Sequence, residues 1–129
     1  MDNGVREMEF AVQEKSFAFA VRIVKLCKYL RNEKREFALA DQLLRSGTSI
    51  GANVSEAQQA QSKSDFIHKM SIAIKEAYET NYWLRLLYAT NYISDKAFHS
   101  VIADCSELEK ILITIIKSSK EALENEKKH

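Results

Sequence analysis

Apolar residues recur at intervals of three and four along nearly the whole chain, and breaks in that rhythm divide it into four helical segments. The first is predicted over about residues 10–31, where Phe19, Ile23, Leu26, Cys27 and Leu30 share a face and polar Asn32-Glu33-Lys34 ends the run. The second, about 36–61, carries Phe37, Leu39, Leu43, Leu44, Ile50 and Val54, with Gly47 and Gly51 one turn apart on one side. A glycine inside a helix costs about 1 kcal/mol against alanine, so this pair predicts close approach by a neighbouring helix. The third covers about 64–91, with Ser62 or Ser64 able to cap it ahead of Asp65. Ser94 caps the fourth, about 94–124, where Phe98, Val101, Cys105, Leu108, Leu112 and Ile115 form a bundle seam that Ile102, Ile111 and Ile116 widen.

Connections of only a few residues make successive helices antiparallel neighbours. The predicted fold is therefore all-α: a single antiparallel up-down-up-down four-helix bundle spanning residues 1–129, with the Lys127-Lys128-His129 end expected to fray. Composition agrees, because 46% hydrophobic and 29% charged residues with no proline and three glycines disfavour a turn-rich β architecture.

The third helix is apolar on more than one side. Ile67, Met70, Ile74, Ala77, Leu84 and Leu87 make its core face, while Ile72, Trp83 and Leu86 recur on another, together with Glu76 and Glu79. Either the core stripe is broad and these residues flank it, or they form an exposed patch through which the chain self-associates. The second expectation makes Ile72, Glu76, Glu79, Trp83 and Leu86 an oligomer interface.

A net charge of +1 conceals an uneven distribution. Within residues 10–35, Lys15, Arg22, Lys25, Lys28, Arg31, Lys34 and Arg35 face only Glu14 and Glu33 as opposing charges, so the remainder of the chain is acidic on balance. Lys15, Arg22, Lys25 and Lys28 are expected to form a basic band on the outer side of the first helix. Such a band can neutralise RNA or DNA phosphates, though solvated lysines on an amphipathic helix are the ordinary case.

Candidate chemistry is sparse. A di-iron bundle needs two Glu-x-x-His motifs and two further carboxylates, whereas Asp65-Phe66-Ile67-His68 is a single approximate copy and His99 follows Asp95 as a local helix pair. Cys27 and Cys105 lack metal-ligand spacing and are expected to be reduced core thiols. No nucleophile elbow or glycine-rich phosphate loop occurs. The expectation is a protein with no catalytic residues, metal or cofactor. Neither a signal-like start nor a run of about 18 apolar residues appears, which points to a cytoplasmic protein with no membrane partner. Arg45, Asn53 and Glu56 on the second helix, with Glu79 and Asn81 on the third, lie among apolar positions and are expected to form a shared polar network that fixes helix register.

The run Gln42-Leu43-Leu44-Arg45-Ser46, then Ser49-Ile50, Ala52-Asn53-Val54 and Glu56, followed by Glu79 and Tyr82-Trp83-Leu84, resembles the four-helix bundle proteins of the 23S rRNA intervening-sequence family. These proteins are named for reading frames in insertions within large-subunit ribosomal RNA genes. They are similar in fold to the accessory variability determinants of diversity-generating retroelements. The resemblance implies a homopentamer without enzymatic activity, and the retroelement relatives imply nucleic-acid binding through a basic oligomer surface and contact with a reverse transcriptase. This chain departs from that pattern in its near-neutral charge and in Ala57, where many relatives have glycine. The alternative function is a protein-interaction scaffold that binds no nucleic acid, using Trp83, Tyr78, Tyr82, Tyr88 and Tyr92 for contacts with itself or an unidentified protein.

Overall fold

The computed structural model describes residues 3–128, which form α1 (Asn3–Asn32), α2 (Ala38–Ala57), α3 (Lys63–Ala89) and α4 (Asp95–Lys127). His129 of the end expected to fray lies outside the described residues, and Lys127 still belongs to α4. The first helix starts seven residues before its predicted boundary, since no proline precedes Phe10 and Met8 packs against the core. Ser62 caps α3 by accepting from the Asp65 N–H at 3.0 Å, and Ser94 caps α4 by accepting from the Ala97 N–H at 3.1 Å. At the start of α2 the cap residue is Phe37, which has no polar side chain, and Glu36 substitutes by accepting from the Leu39 N–H at 2.8 Å.

Each helix packs on the two beside it, in the cyclic order α1, α2, α3, α4, and the diagonal pairs lie farther apart across a shared core. Side-chain pairs set the direction. Ser46 meets Thr80 while Glu56 meets Lys69, so α2 and α3 run oppositely. Lys15 meets Glu107 while Arg22 meets Asp104, and Lys63 meets Glu126 near the far end of the α3/α4 seam. The molecule is the up-down-up-down bundle that short connections require.

The core is continuous along the bundle axis. Ile23, Leu30, Leu43, Ile50, Met70, Leu84, Leu108, Leu112 and Ile115 are fully enclosed or nearly so. Close approach of α1 and α2 depends on the two glycines. A Cβ on Gly47 would lie 2.8 Å from an Ile23 side-chain carbon, and one on Gly51 would lie 3.1 Å from the Ser16 carbonyl oxygen. Buried Ser46 and Thr80 satisfy one another across α2 and α3 through a 3.0 Å hydrogen bond between hydroxyls.

Candidate functional site

The outer side of α1 is not one basic band. Lys15 and Arg22 turn toward α4, where Lys15 pairs with Glu107 at 2.8 Å and Arg22 pairs with Asp104 at 2.7 Å and donates to Ser100 Oγ at 2.6 Å. Their position follows from helical phase: residues 15 and 22 lie seven apart on the α4 side, whereas 25 and 28 fall progressively farther around the cylinder. Arg31 is drawn to α2 and pairs with Asp41 at 2.6 Å. Among the described residues, no carboxylate lies within ion-pair distance of Lys25, Lys28, Lys34 or Arg35. These four are exposed and gather at the bundle end made by the C-terminus of α1 and the connection to α2.

Two exposed aromatic rings stand among them. Phe37, which the apolar rhythm assigned to the second helix, instead sits at the cap position with its ring 44% exposed. The Arg31 guanidinium lies 5.1 Å and that of Arg35 5.5 Å from the ring centroid, so both cations are within cation–π range of the phenyl group. Arg35 adopts a left-handed conformation with φ 55°, a turn geometry that directs its side chain back toward Phe37. Tyr29, one residue after Lys28, is 42% exposed.

The expected α2/α3 network resolves into separate groups. Arg45 pairs with Glu76 at 3.1 Å and with Glu79, and the Trp83 indole N–H donates to the Glu79 carboxylate at 2.9 Å. The Trp83 hydrogen bond first, then the Arg45 contact, hold the Glu79 carboxyl below its ordinary range, while Glu79 holds the Arg45 guanidinium above its own. Glu56 stands apart and pairs with Lys69 at 3.0 Å, because it lies about three turns farther along α2 than Arg45. Asn81 faces α4, donating to Glu109 at 3.2 Å and accepting from Arg85 Nε at 2.9 Å. Asn53 donates to the Ser49 carbonyl of its own helix at 2.9 Å.

The residues proposed from sequence as an interface lie largely along the seam with α2. Glu76 and Glu79 are occupied by Arg45, Trp83 is half-buried against the core, and Ile72 and Leu86 are half-buried as well. Among the tyrosines, Tyr88 stacks on Phe98 with centroids 4.1 Å apart and donates to Asp95, and the Glu36 carboxylate holds the Tyr92 phenol above its ordinary range. Tyr78 and Tyr82 remain about half exposed. The large apolar residues that do reach solvent include Phe10, Phe17 and Val21 of α1 and Ile113 of α4. Spacings of seven and four place the first three on one stripe opposite the Val12, Phe19 and Ile23 face, a second periodicity that the stronger core pattern masks.

The sequence model of the family described as 23S rRNA-intervening sequence protein matches residues 8–114. The chain belongs to this family. It is similar to a crystal structure of a protein of unknown function from the S23 ribosomal protein family of Bacteroides thetaiotaomicron, with 55% sequence identity, coverage of 85% of this chain and 98% of that chain, and a TM-score of 0.84. Comparison with curated proteins gives no match. In this family member both cysteines are free and buried. Cys27 Sγ donates to the Ala40 carbonyl at 3.3 Å and burial pushes its pKa up to about 11; Cys105 donates to the Ala77 carbonyl at 3.4 Å and burial raises its pKa further. Both thiols are protonated at neutral pH. Among the described residues no three His, Cys, Asp or Glu side chains are grouped to hold a metal, and no helix is long and apolar enough to cross a membrane.

Proposed function

We propose that this protein is a non-catalytic, homo-oligomeric accessory protein that holds single-stranded stretches of RNA or DNA at the end of the bundle where α1 meets α2. The observation that carries the proposal is the pairing of exposed aromatics, Tyr29 and Phe37, with Lys25, Lys28, Lys34 and Arg35, none of which has a carboxylate partner among the described residues. Cations that track phosphates beside rings on which bases stack are the ingredients of sequence-tolerant single-strand binding. Lys15, Arg22 and Arg31 contribute less, since each is already paired with an acid. With a net charge of only +1 per chain, affinity comes from presenting the same end several times, five in the assembly that the family resemblance implies. A cytoplasmic setting suits two buried reduced thiols.

The test is fluorescence anisotropy of labelled single-stranded RNA, single-stranded DNA and duplex DNA, with native mass measured on the same sample. Binding is expected to weaken with salt yet persist near ~150 mM. Joint Lys28→Glu and Lys34→Glu substitution lowers affinity at least about tenfold with native mass unchanged. An intact oligomer that binds none of the probes even at low salt overturns the nucleic-acid reading in favour of the protein-interaction scaffold.

A further inference from the structure

Between the last turns of α1 and the first turn of α4 runs a groove of about 350 Å³, lined by Leu26, Tyr29, Ile93, Ser94 and Ala97. One wall is made by the way α3 ends. Asn91 is left-handed with φ 67°, the Tyr92 N–H reaches back to the Leu87 carbonyl at 2.9 Å and the Asn91 N–H donates to the Tyr88 carbonyl at 3.1 Å, a helix stop that usually takes glycine and here has asparagine. The turn buries Ile93 and sets Ser94 at the cap of α4. The other wall follows from the register of α1 against α4. Arg22 meets Ser100 and Asp104, and in antiparallel helices a step of two turns along α1 matches a step of about two turns back along α4. Tyr29, two turns after Arg22, therefore stands level with the first turn of α4.

Polar groups at this groove have capacity to spare. Ser94 Oγ accepts from the Ala97 N–H at 3.1 Å, which leaves its own O–H free to donate. The Tyr29 phenol has no hydrogen-bond partner among the described residues. Lys25, one turn before Tyr29, and Lys96, one turn before the Ser100 that Arg22 reaches, border the groove from opposite helices. Among the described residues neither has a carboxylate within ion-pair distance. Of the acids nearby, Asp104 is held by Arg22 and Asp95 accepts from Tyr88 on the α3 side, while Glu33, one turn after Tyr29, offsets one of the two lysines.

A flat ring with a hydrogen-bonding edge, carried on a phosphate chain, suits this combination. Apolar walls and the Tyr29 ring receive its face, two hydroxyls its edge, and a lysine on either helix the phosphates that flank it. The groove also continues the site at Phe37. Helical phase puts Tyr29 and Arg31 on opposite sides of α1, and Arg31 stands against Phe37, so the two exposed rings flank a helix about 10 Å wide. Lys34, whose N–H donates to the Tyr29 carbonyl at 3.4 Å, and Arg35 lie on the turn between them.

We infer that this groove is a second base pocket for one single strand: a base stacks at Phe37, the strand crosses the end of α1 over Lys34 and Arg35, and another base enters against Tyr29 with its edge on Ser94 and its phosphates on Lys25 and Lys96. The inference rests on the single-strand reading above and deepens it by giving the strand a path and bringing α4 into the site.

The experiment is fluorescence anisotropy of a labelled oligothymidine and of an abasic strand with the same number of phosphates, titrated with full-length wild type, Ala97→Leu and Lys96→Ala over a range of salt. Helicity and native mass are measured on the same samples. Both positions are exposed, so both variants are expected to fold. Ala97→Leu fills the groove without altering a charge and is expected to weaken the thymidine strand at least about fivefold while leaving the abasic strand unchanged. Lys96→Ala is expected to weaken both strands and to lower the slope of log affinity against log salt by at least about 0.7. Where wild type prefers the thymidine strand, an Ala97→Leu protein that binds it equally well, or that weakens on both strands alike, overturns the inference and leaves the Phe37 end standing. An unchanged salt slope in Lys96→Ala overturns it as well. A lower native mass in Ala97→Leu gives the groove to a second copy instead, which also overturns it. A wild type that binds neither strand, or holds both with equal affinity, removes the inference together with the base-stacking reading beneath it. Should Ala97→Leu lose helicity, Ala97→Met takes its place with the same expectations.

Discussion

The inner and outer faces of α1 carry similar apolar residues in different circumstances. Inward, Ile23 is completely enclosed and packs so tightly against Gly47 that no methyl group fits between them without displacement. Outward, Phe17 is 71% exposed less than two turns away. Hydrophobicity alone does not distinguish the two positions; what differs is whether a neighbouring helix removes the side chain from water. The inner face holds the fold together, and the outer face is available for association.

The largest effect is expected from emptying the inner face. Ile23→Ala removes a fully buried side chain opposite a glycine that cannot fill the space, and should cost roughly 3 kcal/mol, or about 10 °C in Tm. Thermal unfolding measures it, and a cost under about 1 kcal/mol would mean that α1 and α2 collapse into the cavity.

Between the two extremes lies the solvent edge of the α2/α3 seam. Arg45 is half exposed, so its pairing with Glu76 and Glu79 is screened, and Arg45→Met should cost only about 0.5–1 kcal/mol at pH 7. The folded-state pKa of Glu79 is lowered from its ordinary 4.5, so its contribution is present above that value and is lost as pH falls through the lower folded value. The penalty for Arg45→Met should accordingly shrink on acidification below about pH 4.5. Urea unfolding of both proteins at neutral and acidic pH checks this; an equal penalty at both would assign the loss to packing of the arginine stem.

On the outer face the effect on the fold itself should be least. Phe10→Ser is expected to change protomer stability by no more than about 0.5 kcal/mol when measured in dilute protein, while reducing self-association. A loss comparable with that of Ile23→Ala would show that the exposed stripe supports the protomer rather than an interface.

The four helices, their antiparallel order and the close passage at Gly47 and Gly51 were legible before any coordinates, because each is written in local periodicity and connection length. The capping serines were legible for the same reason. Phe37 was not, since an apolar residue next to a helix start reads as part of that helix until the turn places it beside Arg31 and Arg35. The polar network was legible in its members Arg45 and Glu79 but not in its extent. Glu76 and Trp83 complete the group, while Glu56 and Asn81 join other partners.

Local sequence suffices for the number and direction of the helices, since a 3.6-residue period and a short turn are properties of consecutive residues. The family is likewise carried by one stretch of the second helix and its partner in the third. Which cations stay free is decided in three dimensions, and so is which carboxylate receives Arg45. Both depend on the rotation of each helix about its own axis and its axial register against neighbours. A shift of one residue turns a side chain by about 100° around the helix, enough to carry Lys15 and Arg22 to α4 and leave Lys25 and Lys28 in water.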